Sequence, residues 1–144
     1  MNAQEDVLDE APFNSRLKTG TLLHELVRKL QDSLLPQATL KKSFIVNDID
    51  RTVMLDKSED LLAYILGNLL SNAVRRTSGS CIRIESAQAA GQLQIRIRNN
   101  GAFAFSSYIN SLVHFVDIAR GVGGNIGLET EENNGVTVVF SMAA

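Results

Sequence analysis

The stretch from Asp56 to Thr77 constrains the fold more than any other part of the chain. Leu61, Leu62, Ile65, Leu66, Leu69 and Leu70 recur at helical spacing, which predicts an amphipathic helix that must bury one face against a larger element. Asp56 or Ser58 supplies its N-cap, and Ser78-Gly79-Ser80 ends it. The helix also carries Asn68 and Asn72, four residues apart and therefore on one face. A helix interior gains nothing from asparagine, whose side chain competes with the backbone for hydrogen bonds. Two of them amid Leu, Ile and Val point to a polar site built onto a packed element. On composition alone the simpler explanation is that they brace neighbouring loops without any ligand.

The flanking sequence says what that helix packs on. Residues 1–19 are polar and irregular, and 20–144 form the domain. Leu22, Leu23, Leu26, Val27, Leu30 and Leu34 predict a helix over 21–38, with Pro36 marking the place where it stops or kinks. Ser43 to Ile49 and Thr52 to Leu55 are two short β-branched runs that read as a hairpin around Asp50-Arg51. Cys81 to Glu85 and Leu93 to Arg98 alternate apolar with polar residues, with Gly91 between them. A helix over 106–120 follows, then strands over 125–130 and 136–142 turning at Asn133-Asn134-Gly135. The order α, ββ, α, ββ, α, ββ predicts an α+β two-layer sandwich, a mixed and mostly antiparallel sheet with three helices on one face and water on the other.

Bulk properties exclude several classes. At 144 residues the chain is one ordinary domain, long enough to bury roughly two-thirds of its unfolded surface. A formal charge of −2 gives no overall electrostatic case for nucleic acid. Arg83, Arg96 and Arg98 form a stripe on the exposed sheet face, read as a solvated face first and a docking surface second. Without aromatic residues interleaved, the stripe makes a poor single-strand binder. The single cysteine, Cys81, excludes an internal disulfide, fits a reducing compartment and at a strand position reads as a small core residue. No apolar run is long enough for a membrane helix, so no direct membrane insertion is expected, and the acidic Met1 to Asp6 is the reverse of a signal peptide. The cytoplasm is the expected compartment. No Cys/His cluster suggests zinc, and no Ser/His/Asp set has convincing spacing.

The motifs together resemble the GHKL, or Bergerat-type, ATPase domain of sensor histidine kinases, over about Leu22 to Met142. Leu22 to Val27 is similar to the helix that opens such domains, and Asp56 with the following leucines to the entry of the family's N-box helix. Asn68 and Asn72 fall on the family's two asparagine positions, and Thr77 on its closing hydroxyl residue. Gly123 to Ile126 and Gly135 to Phe140 are similar to its last strand pair. The resemblance implies that Asn72 offers its carbonyl oxygen to Mg²⁺, with Asn68 on the same wall and Arg75 near the phosphates of ATP.

Three departures from the family pattern change the expectation. Asn99, in Arg98-Asn99-Asn100-Gly101, stands where the family has the aspartate that receives the adenine amino group, so a charge-assisted bond becomes a neutral one worth on the order of 1 kcal/mol less. Phe103 replaces a glycine that lets the backbone pass close to the base; one or both of Phe103 and Phe105 fill the adenine cavity, or they pack beneath a rearranged loop, and either arrangement displaces nucleotide. The long lid and its glycine box are missing, with Ile109 and Ser111 on the glycine positions. The resemblance therefore implies a degenerate histidine-kinase-type domain in signalling, with Asn68, Asn72, Arg75, Asn99 and Gly101 as a vestigial nucleotide site blocked by Phe103. No cofactor is expected on this reading. Its partner is a signalling protein, a response regulator or a histidine kinase, or a second copy of itself. The alternative is an authentic ATP-to-histidine phosphotransfer domain with a shortened lid, using ATP and Mg²⁺. His24-Glu25-Leu26 is similar to the start of a phospho-accepting His-box, but a packed or solvent-facing histidine is the simpler reading, as is a core or rim position for His114.

Overall fold

A computed structural model describes residues 20–103, 105–130 and 135–143, without the side chains of residues 102, 103 and 105. The segment 1–19 and the turn expected at Asn133-Asn134 lie outside the described residues. After the short strand β1 (Thr21–Leu22) come α1 (Leu23–Leu40), β2 (Phe44–Asp48), β3 (Met54–Leu55) and α2 (Glu59–Arg76). These are followed by β4 (Thr77–Ser78), β5 (Cys81–Ala89), β6 (Gln92–Asn99), β7 (Ala102–Phe103), α3 (Phe105–Gly121), β8 (Gly124–Thr130) and β9 (Val136–Ala143). Five strands make one mixed sheet in the order β2-β5-β6-β9-β8, parallel only between β2 and β5. The α+β two-layer arrangement expected from the sequence is the one observed.

Strand parity decides which face is wet. Ile82 and Ile84 of β5, Leu93, Ile95 and Ile97 of β6, and Val138, Phe140 and Met142 of β9 turn inward and are almost fully buried. Leu23, Leu26 and Val27 of α1 and Leu62, Ile65, Leu66, Leu69 and Leu70 of α2 close on them. β5 and β6 join through Ala90 and Gly91, both at positive φ (52° and 77°), the backbone of a tight two-residue hairpin turn. Ser58 caps α2, its side chain accepting from Leu61 N at 3.3 Å, so Ser58 rather than Asp56 starts the helix.

The hairpin expected around Asp50-Arg51 is not there. The turn itself forms: Asp50 Oδ1 accepts from the backbone N–H and hydroxyl of Thr52, at 2.9 and 2.7 Å, and the Thr52 backbone bond holds the carboxyl below its usual range. The two runs then part company. β2 pairs parallel with β5, whereas β3 pairs antiparallel with β1, in the register Thr21↔Leu55 and Leu22↔Met54. Parallel pairing needs a long crossover, and α2 provides it, which lays that helix across the sheet. Short β-branched runs declare themselves as strands without declaring their partners.

Two smaller expectations also change. α1 continues past Pro36 to Leu40, because Pro36 is exposed and the buried Ala38 anchors the last turn, where Ser43 N donates to Ala38 O at 2.9 Å. Cys81 is a half-buried free thiol on the water-facing side of β5, since the inward parity belongs to Ile82 and Ile84. Among the described residues, no helix is long and apolar enough to cross a membrane.

Candidate functional site

The inward row of β6 ends in a polar residue. Asn99 follows Leu93, Ile95 and Ile97 at alternate positions and is 2% exposed, so parity aims its amide at the helical layer. Ser80, two residues before Ile82, has the same parity on the neighbouring strand. Its hydroxyl donates to Asn99 Oδ1 at 2.6 Å and accepts from Gly101 N at 3.2 Å. Gly101 is required here by the protein's own backbone: a Cβ at this position would stand 2.5 Å from Ser80 Cβ and 2.6 Å from Ser78 O.

On the helical side, Asn72 of α2 is 1% exposed and donates from Nδ2 to Ser111 Oγ of α3 at 2.8 Å. Ser111 in turn donates to the carbonyl of Tyr108, one turn earlier, at 2.5 Å. Tyr108, 1% exposed, accepts at its hydroxyl from Asn99 Nδ2 at 3.0 Å. Burial pushes the Tyr108 phenol up to about 12, the bond from Asn99 opposing that shift, so the ring is neutral throughout the physiological range. The result is a buried chain of neutral hydrogen bonds running Ser80, Asn99, Tyr108, Ser111, Asn72. It ties the end of the sheet to both helices.

The residues singled out from the sequence therefore divide. Asn72, Asn99 and Gly101 converge on this chain. Asn68 does not: it is half-buried, and its amide turns back to Tyr64 O at 2.6 Å within α2. Arg75 is exposed, and its carbonyl receives Lys41 Nζ at 3.0 Å. Thr77 returns its hydroxyl to Ala73 O at 2.7 Å, and Ile109 is half-buried on α3. β7 pairs its backbone with β4, Thr77 opposite Phe103, but the Phe103 and Phe105 side chains are outside the described residues.

The aromatic ring that occupies the space between Asn72 and Asn99 belongs to Tyr108, which the sequence reading passed over. Its signal was present in the spacing of Tyr108, Ser111 and Leu112, which puts two polar groups on the apolar face of α3. In this packing the amides of Asn72 and Asn99 are both buried and each donates within the chain, to Ser111 and to Tyr108. Among the described residues, no group of three or more His, Cys, Asp or Glu is placed to hold a metal ion. A hollow of about 140 Å³ lined by Cys81, Arg83, Arg98, Asn99 and Asn100 opens on the wet face of the sheet, too small for a nucleotide.

Two other sequence features resolve plainly. His24 is 9% exposed, with Nδ1 buried, without a hydrogen bond and 3.7 Å from Glu25 Oε2, so its ring is largely covered; His114 is exposed on α3. The arginine stripe is neutralised: Arg83 pairs with Asp48, Arg98 with Glu85 at 3.6 Å, and Arg96 with Glu129 at 2.5 Å.

No family model matches the sequence, and no curated protein matches it. Solved structures do. The nucleotide-free catalytic domain of the histidine kinase ThkA is similar at TM-score 0.70 and 20% identity, over 87% of this chain and 94% of that one. The Acinetobacter baumannii histidine kinase AdeS is similar at TM-score 0.70 and 17% identity, over 90% of this chain and 70% of that one. ThkA in complex with the response regulator protein TrrA is similar at TM-score 0.69 and 19% identity, over 87% and 41%. At these identities the likeness establishes the fold, which is that of the catalytic ATPase domain of sensor histidine kinases.

Proposed function

We propose that this domain is a degenerate histidine-kinase-type ATPase domain whose nucleotide site is closed from within by α3, and that it works in signalling by binding a protein partner or a second copy of itself. The observation that carries the reading is the use of both amides by α3: Asn72 by Ser111 and Asn99 by Tyr108, all four residues buried. To admit a nucleotide, the protein must break two buried hydrogen bonds at about 1 kcal/mol each and expose an aromatic ring at about 2 kcal/mol. A binding-competent state some 4 kcal/mol uphill weakens apparent affinity roughly a thousandfold. The neighbouring ThkA structure with its response regulator supports a signalling partner of that class.

The second reading, ATP-to-histidine phosphotransfer with a shortened lid, is favoured by the retention of Asn72 at the N-box position. Thermal unfolding in a titration of Mg-ATP separates the two. A functional site gives about 2.7 kcal/mol of added stability at a hundredfold excess over its dissociation constant. The closed site is expected to give no Mg²⁺-dependent shift at sub-millimolar ATP, and a clear shift there would overturn the proposal.

A further inference from the structure

The two edges of the sheet are treated differently. At β2 the edge is covered: α1 lies against it, Gln31 Nε2 donates to Ile45 O at 2.7 Å, and Asn47 bonds both His24 O and Ile49 N, each at 3.1 Å. β8, at the opposite end, pairs with β9 on one side only. Among the described residues, no other strand, and no backbone group of a helix or loop, meets its outer row of N–H and C=O groups. Such edges are normally blunted by lysine, proline or a bulge. β8 is Gly-Asn-Ile-Gly-Leu-Glu-Thr, with neither residue, and its register with β9 runs unbroken from Gly124↔Met142 to Thr130↔Val136. The apolar layer is also incomplete here. α3 lies over β8, yet its Phe115, Ile118 and Val122 are only partly buried, as is Ile126 of β8, and Leu128 is 37% exposed.

We propose that β8 is the pairing edge of a two-fold homodimer, the two β8 strands running antiparallel with Gly127 on the axis. This names the second copy of the proposed function as the partner and rests on that reading for its place in signalling. An open strand edge is satisfied by another open edge, and each copy supplies one. Two-fold pairing over all seven residues of β8 must centre on the middle one, which is Gly127. Gly124 then meets Thr130, Asn125 meets Glu129 and Ile126 meets Leu128 of the second copy. Each pair joins residues of the same parity, so both helical layers fall on one side of a continuous sheet. Ile126 and Leu128 share the inward parity of Phe140 and Val138, their partners on β9, so each covers the other across the axis, twice per dimer. On the outward face the two Glu129 carboxylates are offset by about 13 Å along the strands, each opposite a neutral Asn125.

Sedimentation velocity of the full chain across micromolar concentrations tests the proposal. A reversible monomer–dimer equilibrium is expected, with amide exchange along β8 slowing as concentration rises. Asn125 is exposed on the water face, so its substitution leaves the core intact. Asn125→Glu sets two like-charge pairs across the axis and raises the dissociation constant about tenfold, whereas Asn125→Lys sets two opposite pairs and lowers it about tenfold. The gain from Asn125→Lys fades at molar salt. Leu128→Lys points a charge into the covered face and abolishes the dimer. A far-ultraviolet circular dichroism spectrum unchanged from the native chain confirms that the variants fold. A monomer at every soluble concentration overturns the proposal and leaves the edge to a strand of another protein. A dimer that none of the three substitutions moves overturns it as well, as does an Asn125→Lys variant weakened as much as Asn125→Glu. A monomer leaves the closed nucleotide site standing, whereas a dimer that binds Mg-ATP keeps the pairing and overturns that site alone.

Discussion

Two polar networks occupy opposite sides of the same sheet, and they differ in nearly every respect. The inner one, from Ser80 through Asn99, Tyr108 and Ser111 to Asn72, is uncharged, buried and continuous from the sheet through α3 to α2. The outer one consists of three ion pairs, Asp48–Arg83, Glu85–Arg98 and Glu129–Arg96, each with an exposed or half-exposed partner. An exposed pair exchanges one set of good solvation for another, so its members are worth little to stability. A buried amide has no water to fall back on, and losing its partner costs the full desolvation of the group left behind. The weaker-looking bonds, between neutral groups, are therefore the ones that fix how α3 sits. On the proposed closed-site reading they also bear on function, since opening the site would break them together.

The largest effect that separates the two networks is expected at Tyr108. Tyr108→Ala removes a fully buried ring and strands the Asn99 amide, at about 3–5 kcal/mol, measured by denaturant unfolding. A loss below about 1 kcal/mol would mean that α3 is not seated as described. Tyr108→Phe isolates the hydroxyl and is also the control for pH. The folded-state phenol is raised above its ordinary value of 10.0 to about 12, so the stability it contributes is full below about pH 10 and is lost as pH rises through 12. Unfolding followed over that window should show a loss of roughly 2–3 kcal/mol in the native chain and a flatter profile in Tyr108→Phe. Equal profiles would place the phenol outside the folded core.

The next effect is the link between helices. Asn72→Ala and Ser111→Ala should each cost about 1–3 kcal/mol, and a double-mutant cycle should return a coupling of about 1 kcal/mol. If the closed-site reading holds, Asn72→Ala changes stability alone and leaves binding to any protein partner intact. A cycle without coupling would dissolve the chain of bonds into separate contacts.

The layers of the fold were legible because periodicity is written residue by residue: Leu62, Ile65, Leu66 and Leu69 announce a buried helical face, and Ile82 and Ile84 a strand face. Pairing was not, because Val53 and Leu55 carry the same β-branched or apolar signature whether their partner is β2 or β1. The candidate site divides on the same line. Asn72 stood out because asparagine has no local reason to sit on an apolar helix face, and Asn99 because it stands where the resembled family has an aspartate. What meets them did not, because Tyr108 reads as an ordinary aromatic on an amphipathic helix until its hydroxyl is seen 3.0 Å from Asn99. The arginine stripe was legible as a solvated face, but its ion pairs were not, for a related reason. Arg83, Arg96 and Arg98 are consecutive outward positions on paired strands, but the carboxylates that neutralise them come from β2, β5 and β8, and only the register brings those strands together.

The smallest expected effect lies on that outer face. Arg96 and Glu129 are 25% and 54% exposed at the side chain, so a double-mutant cycle with alanine should give a coupling of about 0.2–1 kcal/mol, falling toward zero at molar salt. The two single variants should nonetheless be unequal. Register places Arg96 beside Val139, an outward residue of β9 that is only 7% exposed, so the arginine's methylene stem shields an apolar side chain from water. Arg96→Ala is expected to cost more than Glu129→Ala, and the excess should persist at high salt because it is packing rather than charge. Arg96→Met, which keeps the stem and removes the guanidinium, should recover most of it. If the methionine variant is as unstable as the alanine one, the charge outweighs the stem, and the contrast between a structural inner network and a dispensable outer one is weaker than drawn.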